Sequence, residues 1–335
     1  MVELVPKKDF EEVILLIKQA RSRAFQSVNS EIIELYWKIG EYINQKLENA
    51  GWGEKTVQQL AEYIKEHYPE LKGFTRRGLY RMRQFYQTYE GDEIVTPLVT
   101  QLSWTNNLII FSRCKTPEER AFYLNLTIKE RYSKRDLERQ INSCVFERTK
   151  LADKKLSSSV LKLPQNASGV FRDRYIFEFL NLPEKHEESE LRKSLVSGLK
   201  NFILEVGRDF SFIGEEYRIQ VGNRDFYIDL LFYHRGLQCL VAFELKIEEF
   251  QPEFLGKMNF YLEALDSDIR KVHENPSIGV LLCKGKDNEV VEYALRRSVS
   301  PTVIADYETK LIPRKLLQQK LHEFYELASG ETNDD

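Results

Sequence analysis

Two hydrophobic periods divide this chain of 335 residues into regions of different structure. Up to about residue 150, apolar residues recur at helical spacing, every three or four positions. Beyond about residue 170, short segments alternate apolar and polar residues or are continuously apolar, as strands are. The pattern predicts an all-helical domain over residues 1–150 and an α/β domain over residues 170–330. Residues 151–169 lose this periodicity and gain Lys, Ser and Pro, which is typical of a linker.

The helical domain opens with residues 8–48, whose spacing predicts either two long helices or one unbroken helix. A hydroxyl side chain just before a helix can accept a hydrogen bond from a free backbone N–H group of the first turn. Such residues precede four further helical segments: Thr75, Ser103, Thr116 and Ser133. We therefore expect a series of capped helices, and their sequences show no catalytic constellation.

One pair of these helices has an unusual charge. Residues 54–67 and the helix after Thr75 are separated by a turn that contains Gly73, so they predict a helix-turn-helix. Residues 71–90 carry five basic residues and one acidic residue, a net charge of +4. The arginines of the second helix are Arg76, Arg77, Arg81 and Arg83. We expect them to contact nucleic-acid phosphates or base edges, and the alternative is a solvated face whose arginine stems cover apolar surface.

The C-terminal region contains a helix over residues 186–207, one or two strands over 210–221 and a strand hairpin over 225–246. A helix from Pro252 to Leu265, an apolar strand, a helix, a strand and a C-terminal helix follow. This order favours a mixed sheet with helices on its faces. The predicted fold class is therefore α+β overall, a helical domain followed by an α/β domain.

The hairpin over residues 225–246 carries the candidate chemistry. Its sequence, DFYIDLLFYHRGLQCLVAFELK, predicts two strands and a tight turn in which Gly236 can take a positive φ. If the loop has an even number of residues, Asp229, Glu244 and Lys246 share one face within cross-strand reach. If the number is odd, only a bulge restores that arrangement.

Two carboxylates and a lysine among apolar residues are costly to bury without partners. A divalent cation explains them, because Mg²⁺ is commonly held by one or two carboxylates together with waters and substrate phosphates. The alternative is a cross-strand ion pair between the lysine and a carboxylate on a half-exposed sheet.

The same residues resemble a known nuclease signature. Asp229, followed by Glu244-Leu245-Lys246 after an apolar strand, resembles the PD-(D/E)xK motif. Together with the following FQPEFLGKMNFYLEALD, the hairpin resembles the YhcG-type family of bacterial PD-(D/E)xK nucleases, and the resemblance extends over nearly the whole chain. Tyr227-Ile228 stands where the signature has its proline, which is a departure from the motif.

The resemblance implies a restriction-endonuclease-like domain that hydrolyses nucleic-acid phosphodiester bonds, most readily as a DNA endonuclease. It implies Mg²⁺ or Mn²⁺ bound by Asp229, Glu244 and the backbone carbonyl of Leu245, with Lys246 acting on the attacking water or on the developing charge. An acidic residue of the first helix often adds to this metal site, and Glu190 is the match. The alternative for Glu190 is a carboxylate that interacts with the helix dipole.

Two residues near the start of the helix that follows the hairpin, Gln251 and Lys257, lie on the side where a phosphate backbone would pass. We expect both to contact nucleic acid.

Composition limits these interpretations. A net charge of −3 provides no global basic field, so nucleic-acid binding depends on local patches. The four cysteines form no CxxC pair, which favours buried free thiols in a reducing compartment. No segment approaches the roughly 18 apolar residues that span a bilayer, and the first residues lack the pattern of a signal peptide. We expect a cytoplasmic protein that does not bind a membrane.

Other functions remain open at this point. The chain could be a catalytically silent nucleic-acid-binding or assembly subunit of a DNA defence or recombination complex, although its intact Asp, Glu and Lys argue against this. It could also be a nuclease that is active only within such a complex. The choice between DNA and RNA is likewise open. A homodimer would supply the two sites that cutting both strands requires, an expectation by analogy.

Overall fold

The computed structural model describes residues 7–49, 54–92, 96–152, 167–183, 185–296, 298 and 300–330. The chain forms two compact units, residues 1–141 and 142–335. Residues 153–166, which make up most of the predicted linker, lie outside the described residues.

In the described part of the chain up to Lys150, every regular element is a helix. These are α1 (Lys7–Glu48), α2 (Glu54–His67), α3 (Arg76–Tyr89), α4 (Thr96–Val99), α5 (Trp104–Arg113), α6 (Pro117–Glu130), α7 (Lys134–Asn142) and α8 (Val145–Lys150). Helix α1 is unbroken over 42 residues, so the second of the two sequence alternatives is correct. Helix α8 belongs to the second unit.

The predicted N-caps are confirmed by their hydrogen bonds. The hydroxyls of Thr75, Ser103, Thr116 and Ser133 each accept a backbone N–H three residues along the chain, at 3.1–3.3 Å. Each bond satisfies one of the N–H groups that a helix start leaves free. Local sequence thus fixes where these helices begin.

Helices α1 and α3 approach closely at a glycine. A Cβ atom on Gly40 would lie 2.2 Å from the carbonyl oxygen of Met82, so only glycine permits this backbone contact. Trp37 of α1 packs edge-on against Phe85 of α3, with ring centroids 5.8 Å apart. The contact fixes α3, the helix that carries the four arginines.

The connection between α2 and α3 spans residues 68–75 and contains Gly73 at a φ of +96°. Eight residues exceed the roughly three to four residues of a compact helix-turn-helix turn. A helix-turn-helix in this unit therefore stays a prediction.

The second unit is built on one mixed sheet. Its strands are β1 (Arg174–Ile176), β2 (Phe210–Val221), β3 (Arg224–His234), β4 (Cys239–Leu245), β5 (Ile278–Cys283) and β6 (Thr302–Glu308), in the order β1-β6-β5-β4-β3-β2. The pairs from β1 through β6 and β5 to β4 are parallel, and those from β4 through β3 to β2 are antiparallel. The predicted mixed sheet is confirmed, while the three-residue strand β1 was not predicted.

Helices α9 (Glu188–Ser197) and α10 (Leu199–Val206) pack on one face of this sheet, and α11 (Phe254–Asp268) and α12 (Asn288–Leu295) pack on the other. The C-terminal helix α13 (Arg314–Gly330) contacts α8. Strands β4 and β5 are buried along their whole length. Phe232 and Phe243 belong to the apolar core on one face, and Leu231 and Ala242 belong to the core on the other. Burial on both faces explains why these strands are continuously apolar.

The helix predicted over residues 186–207 is two helices that meet at Gly198. A Cβ atom on Gly198 would lie 2.9 Å from the ring of Phe179, so this glycine serves a tertiary contact. Because Phe179 lies outside residues 186–207, the spacing of apolar residues within that segment does not reveal the break.

The sequence predicts a turn over residues 234–237, and the turn of the structure lies one residue later, over residues 235–238. Strand β3 continues through His234, and the positive φ of 50° falls on Gln238 instead of Gly236. The His234 ring accepts a hydrogen bond from the N–H of Leu237 at 2.9 Å, and this bond closes the turn without the glycine. The loop has four residues, so the strands pair in the even register, with Leu230 opposite Phe243.

We predict that Gly40→Ala lowers the free energy of unfolding of the helical unit by about 1–3 kcal/mol, because the added methyl group would overlap the Met82 carbonyl. All three tryptophans, Trp37, Trp52 and Trp104, lie in this unit, so urea unfolding followed by tryptophan fluorescence reports on it. Lys38→Ala, at an exposed position of the same helix, is the matched control. Equal stability of the two variants would contradict the close approach.

Candidate active site

Polar side chains converge where β4 ends. Asp229 lies on β3, Glu244 is the penultimate residue of β4, and Lys246 follows that strand directly. The register of Leu230 opposite Phe243, continued by one residue, places Asp229 opposite Glu244. The structure thus brings the three hairpin residues together as the even loop requires.

Asp229 is held by the strand backbone and by a guanidinium. Its Oδ2 atom accepts a hydrogen bond from the N–H of Leu245 at 2.9 Å. Its Oδ1 atom lies 3.2 Å from the guanidinium of Arg192. Both oxygens of this carboxylate therefore have a donor, and the side chain is 15% exposed.

Glu244 is the most buried charge of the site, with a side chain that is 1% exposed. Its Oε1 atom contacts the ammonium of Lys257 and lies 3.3 Å from that of Lys246. Its Oε2 atom is buried and has no hydrogen-bond partner. Burial raises the pKa of Glu244 and the charge of Asp229 raises it further, while the two lysines oppose both effects. One carboxylate oxygen is thus available to a further ligand.

Lys246 lies between two carboxylates. Its ammonium is 3.1 and 3.2 Å from the oxygens of Glu188 and 3.3 Å from Glu244. Burial lowers the pKa of Lys246, but the charge of Glu244 and the hydrogen bond to Glu188 outweigh it, so the net direction is upward. The ammonium is therefore charged and fixed in position.

Arg192 connects the site to the edge of the sheet. Its guanidinium bridges Asp229 and Glu216, with a distance of 2.9 Å to the Glu216 carboxylate. Glu216 has a φ of +43° and lies between the paired residues Glu215 and Tyr217 of β2. A positive φ is strained for a residue with a side chain. The strain lies at a residue that holds Arg192.

Helix α9 supplies both Glu188 and Arg192, which are four residues apart and so lie on one face. Glu190 is placed differently, because its carboxylate accepts the backbone N–H of Glu187 at 2.9 Å and completes a capping box. Sequence reasoning selected Glu190 and missed Glu188. The i, i+4 spacing to Arg192 was the signal that could have identified Glu188. A metal-binding role for Glu190 stays a prediction.

The two residues expected to contact a phosphate backbone are also placed differently from each other. Lys257, on α11, is 49% exposed and its ammonium contacts Glu244. Burial lowers the pKa of Lys257, but the hydrogen bond and the charge of Glu244 raise it more. Gln251 is exposed, and its amide lies 3.4 Å from the carboxylate of Glu248.

The comparisons with known proteins identify the family. Residues 168–322 match the model of the YhcG PDDEXK nuclease domain, and residues 12–148 match that of the DUF1016 N-terminal domain. A protein of Escherichia coli (strain K12), named "Putative nuclease YhcG", is 30% identical over 92% of this chain and 92% of its own length. The chain belongs to the YhcG family of PD-(D/E)xK nuclease-domain proteins. The family resemblance of the sequence is thereby confirmed.

Two solved structures resemble part of this chain weakly. A repair endonuclease from Pyrococcus abyssi is 17% identical over 39% of this chain and 50% of that chain, with a TM-score of 0.26. An EndoMS-dsDNA2 complex is 14% identical over 38% of this chain and 46% of that chain, with a TM-score of 0.28. The chain spans about half of each solved chain, and likeness at these TM-scores supports no conclusion about activity.

The donor set suits a divalent cation of the kind that PD-(D/E)xK domains typically use. Asp229 and Glu244 present carboxylate oxygens, the ligands that Mg²⁺ prefers, and the Oε2 atom of Glu244 lacks a partner. Among the described residues, no group of three or more His, Cys, Asp or Glu side chains is arranged to hold a metal. The fit therefore rests on two carboxylates, which is the number that Mg²⁺ often uses.

The arginines of the DUF1016 domain fall into two groups. Arg76 and Arg77 are exposed on α3 and Arg81 is half-buried, with Arg76 over the ring of Tyr80 at 5.5 Å. Arg83 instead donates a hydrogen bond to Asn44 of α1 at 3.0 Å. Arg83 thus ties two helices of this unit together.

Two further expectations can be checked. All four cysteines are buried and free, as predicted: Cys114, Cys144, Cys239 and Cys283. None of the helices in the described residues is long and apolar enough to cross a membrane.

Proposed function

We propose that this protein is a metal-dependent endonuclease that hydrolyses DNA phosphodiester bonds. Its active-site residues would be Asp229, Glu244 and Lys246. The observation that carries the proposal is the buried Oε2 atom of Glu244, which has no hydrogen-bond partner. The carboxylate of Asp229 lies on the neighbouring strand opposite Glu244. A buried charge left partly unsatisfied is costly unless a ligand compensates it. Mg²⁺ or Mn²⁺ is the ligand that fits this oxygen and that suits the nuclease domain.

Asp229 and Glu244 would hold the ion, with the backbone carbonyl of Leu245 as a further donor. When bound, such an ion lowers the pKa of a water molecule and polarises a phosphoryl oxygen. Glu190 would contribute only if its carboxylate left the N–H of Glu187.

The chain's own residues would provide the positioning. Lys246 is fixed between Glu188 and Glu244, so its ammonium can orient the attacking water or stabilise the charge that develops on the phosphate. Arg192 keeps Asp229 oriented through Oδ1, while the N–H of Leu245 holds Oδ2. The site is thus preorganised before substrate arrives.

We propose that the helical domain binds nucleic acid through Arg76, Arg77 and Arg81 of α3. These side chains lie on a segment of net charge +4 in a chain of net charge −3. The sequence groups Arg83 with these arginines, but its guanidinium donates a hydrogen bond to Asn44. Only the sequence therefore supports a role for Arg83 in binding. The choice of DNA as the substrate rests on the resemblance of the motif. Cleavage of RNA but not DNA would replace DNA by RNA in this proposal.

A second candidate function is a catalytically silent subunit of a DNA defence or recombination complex. It is favoured by the cations already present at both carboxylates, Arg192 on Asp229 and Lys257 on Glu244. In that case the hairpin carboxylates would be permanent ion pairs and would bind no metal.

We predict that Asp229→Asn and Lys246→Met each reduce Mg²⁺-dependent cleavage of DNA by at least about a hundredfold. Asparagine still accepts the N–H of Leu245, and methionine matches the lysine side chain as far as Cε, so both proteins should fold. Activity is measured on duplex, single-stranded and branched DNA and on RNA, with Lys200→Met, at an exposed position of α10, as the control. Variants as active as the wild type would place catalysis elsewhere.

Lys257→Met should increase the affinity for Mn²⁺ about tenfold, which is about 1.4 kcal/mol. Lys257 has Glu244 as its carboxylate partner and is half-exposed, whereas Lys246 and Arg192 each contact two carboxylates. Lys257 is therefore the cation that an incoming metal displaces most easily. Titration calorimetry without DNA measures the change against Lys200→Met. An unchanged or weaker affinity would show that Lys257 does not compete with the metal.

Replacing Arg76, Arg77 and Arg81 by Glu should weaken DNA binding at every sequence tested. The slope of log K against log salt should fall by about 1 for each arginine that contacts a phosphate. Lys129→Glu, at an exposed position of α6, shows how much a charge reversal elsewhere in the same unit changes the slope. An unchanged slope would move the contact away from α3.

A further inference from the structure

Arg192 presents one edge of its guanidinium to an anion that solvent can reach. Its side chain is 13% exposed, and its Nη1 atom lies 3.2 Å from the Oδ1 atom of Asp229. Its Nη2 atom lies 2.9 Å from the carboxylate of Glu216, a side chain that is 61% exposed. A largely buried cation beside a candidate catalytic carboxylate thus has its second anionic partner at the surface.

The contact with Glu216 uses this edge incompletely. The Nε atom of Arg192 is buried and has no hydrogen-bond partner among the described residues. Nε and Nη2 donate in the same direction, along the edge of a guanidinium that can bind a phosphate through two parallel hydrogen bonds. Glu216 contacts Nη2 and leaves Nε unsatisfied. A second anion oxygen on this edge would satisfy that donor.

The backbone of β2 sets the position of Glu216. Its φ is +43°, and it lies between residues of β2 that pair with β3 in one register. That register, continued through Glu216, places it opposite Asp229. A positive φ is strained for a residue with a side chain, and such strain is concentrated at functional sites. The carboxylate of Glu216 therefore marks an anion position next to Asp229.

We propose that Arg192 binds a backbone phosphate of the nucleic-acid strand that is cut, and that Glu216 occupies the place of this phosphate until substrate displaces it. The inference rests on the proposed nuclease function and adds a substrate-binding residue to that site. A phosphodiester carries the same single negative charge as the carboxylate that it replaces, and its two free oxygens can accept from Nε and Nη2 together.

The exchange leaves the rest of the site in place. The Nη1 atom of Arg192 keeps its contact with Asp229, so this carboxylate stays oriented while substrate enters. Because the side chain of Glu216 is exposed, its carboxylate can turn into solvent without crossing the core. Glu216 thus acts as a competitor that substrate must displace from Arg192.

Glu216→Gln should increase the affinity for nucleic acid about fivefold, because a neutral side chain competes less for the guanidinium. Affinity is measured by fluorescence anisotropy with labelled duplex DNA, single-stranded DNA and RNA, in EDTA so that neither cleavage nor metal binding contributes. Glu215→Gln is the matched control, since Glu215 is the preceding residue of β2, is also exposed and loses the same charge. Its effect should be at most about twofold, because an exposed charge is screened.

A double-mutant cycle tests the role of Arg192. In an Arg192→Gln background, Glu216→Gln should raise the affinity no more than Glu215→Gln does. Arg192→Gln alone should lower the slope of log K against log salt by about 1. Arg235→Gln, at an exposed position of the hairpin turn, should leave the slope unchanged. Thermal unfolding followed by circular dichroism verifies that each variant is folded.

Equal affinities of Glu216→Gln and Glu215→Gln would overturn the inference and leave the nuclease proposal intact. This comparison stands even if Arg192→Gln does not fold. An increase that persists without Arg192, or an unchanged salt slope in Arg192→Gln, would overturn the inference as well. Failure of all these proteins to bind any of the nucleic acids would instead contradict the proposed function, and this inference with it.

Discussion

The buried carboxylate of Glu244 is the constraint on which the rest of the site depends. Its side chain is 1% exposed, at the end of a strand whose other residues are apolar and buried. Such a charge is stable only with close partners of opposite sign or a metal ion. Lys257 and Lys246 supply positive charge to one oxygen, and the other oxygen has no partner. The free-energy cost of burying that oxygen without a partner is the strongest physical reason to infer a metal.

The fold delivers this arrangement through ordinary features of a mixed sheet. The even register of the hairpin sets Asp229 opposite Glu244, and α9 places Glu188 and Arg192 on one face. Strand β2 adds Glu216 at a strained position, and the guanidinium of Arg192 contacts this carboxylate as well as that of Asp229. Each charge near the carboxylates is thus fixed by an element of the core. Among the three cations, Lys257 is the one that is half-exposed, and Glu244 is its carboxylate partner.

Features that depend on neighbouring residues in the sequence could be predicted. The caps at Thr75 and Ser133 and the faces of the hairpin follow from short-range chemistry. Features set by tertiary contacts could not. The break at Gly198 depends on Phe179, and the short strand β1 exists because β6 pairs with it. Glu190 was a reasonable candidate from its position, but the N-terminus of α9 uses its carboxylate as a cap.

The most direct test of the metal site is calorimetric titration of Mg²⁺ into the wild type and into Glu244→Gln. Glutamine keeps the size of the side chain and removes the charge, so the change isolates the carboxylate. A metal site at Asp229 and Glu244 predicts binding by the wild type and loss of binding by the variant. Equal binding by both proteins, or binding by neither, would contradict it and leave the hairpin carboxylates as plain ion pairs.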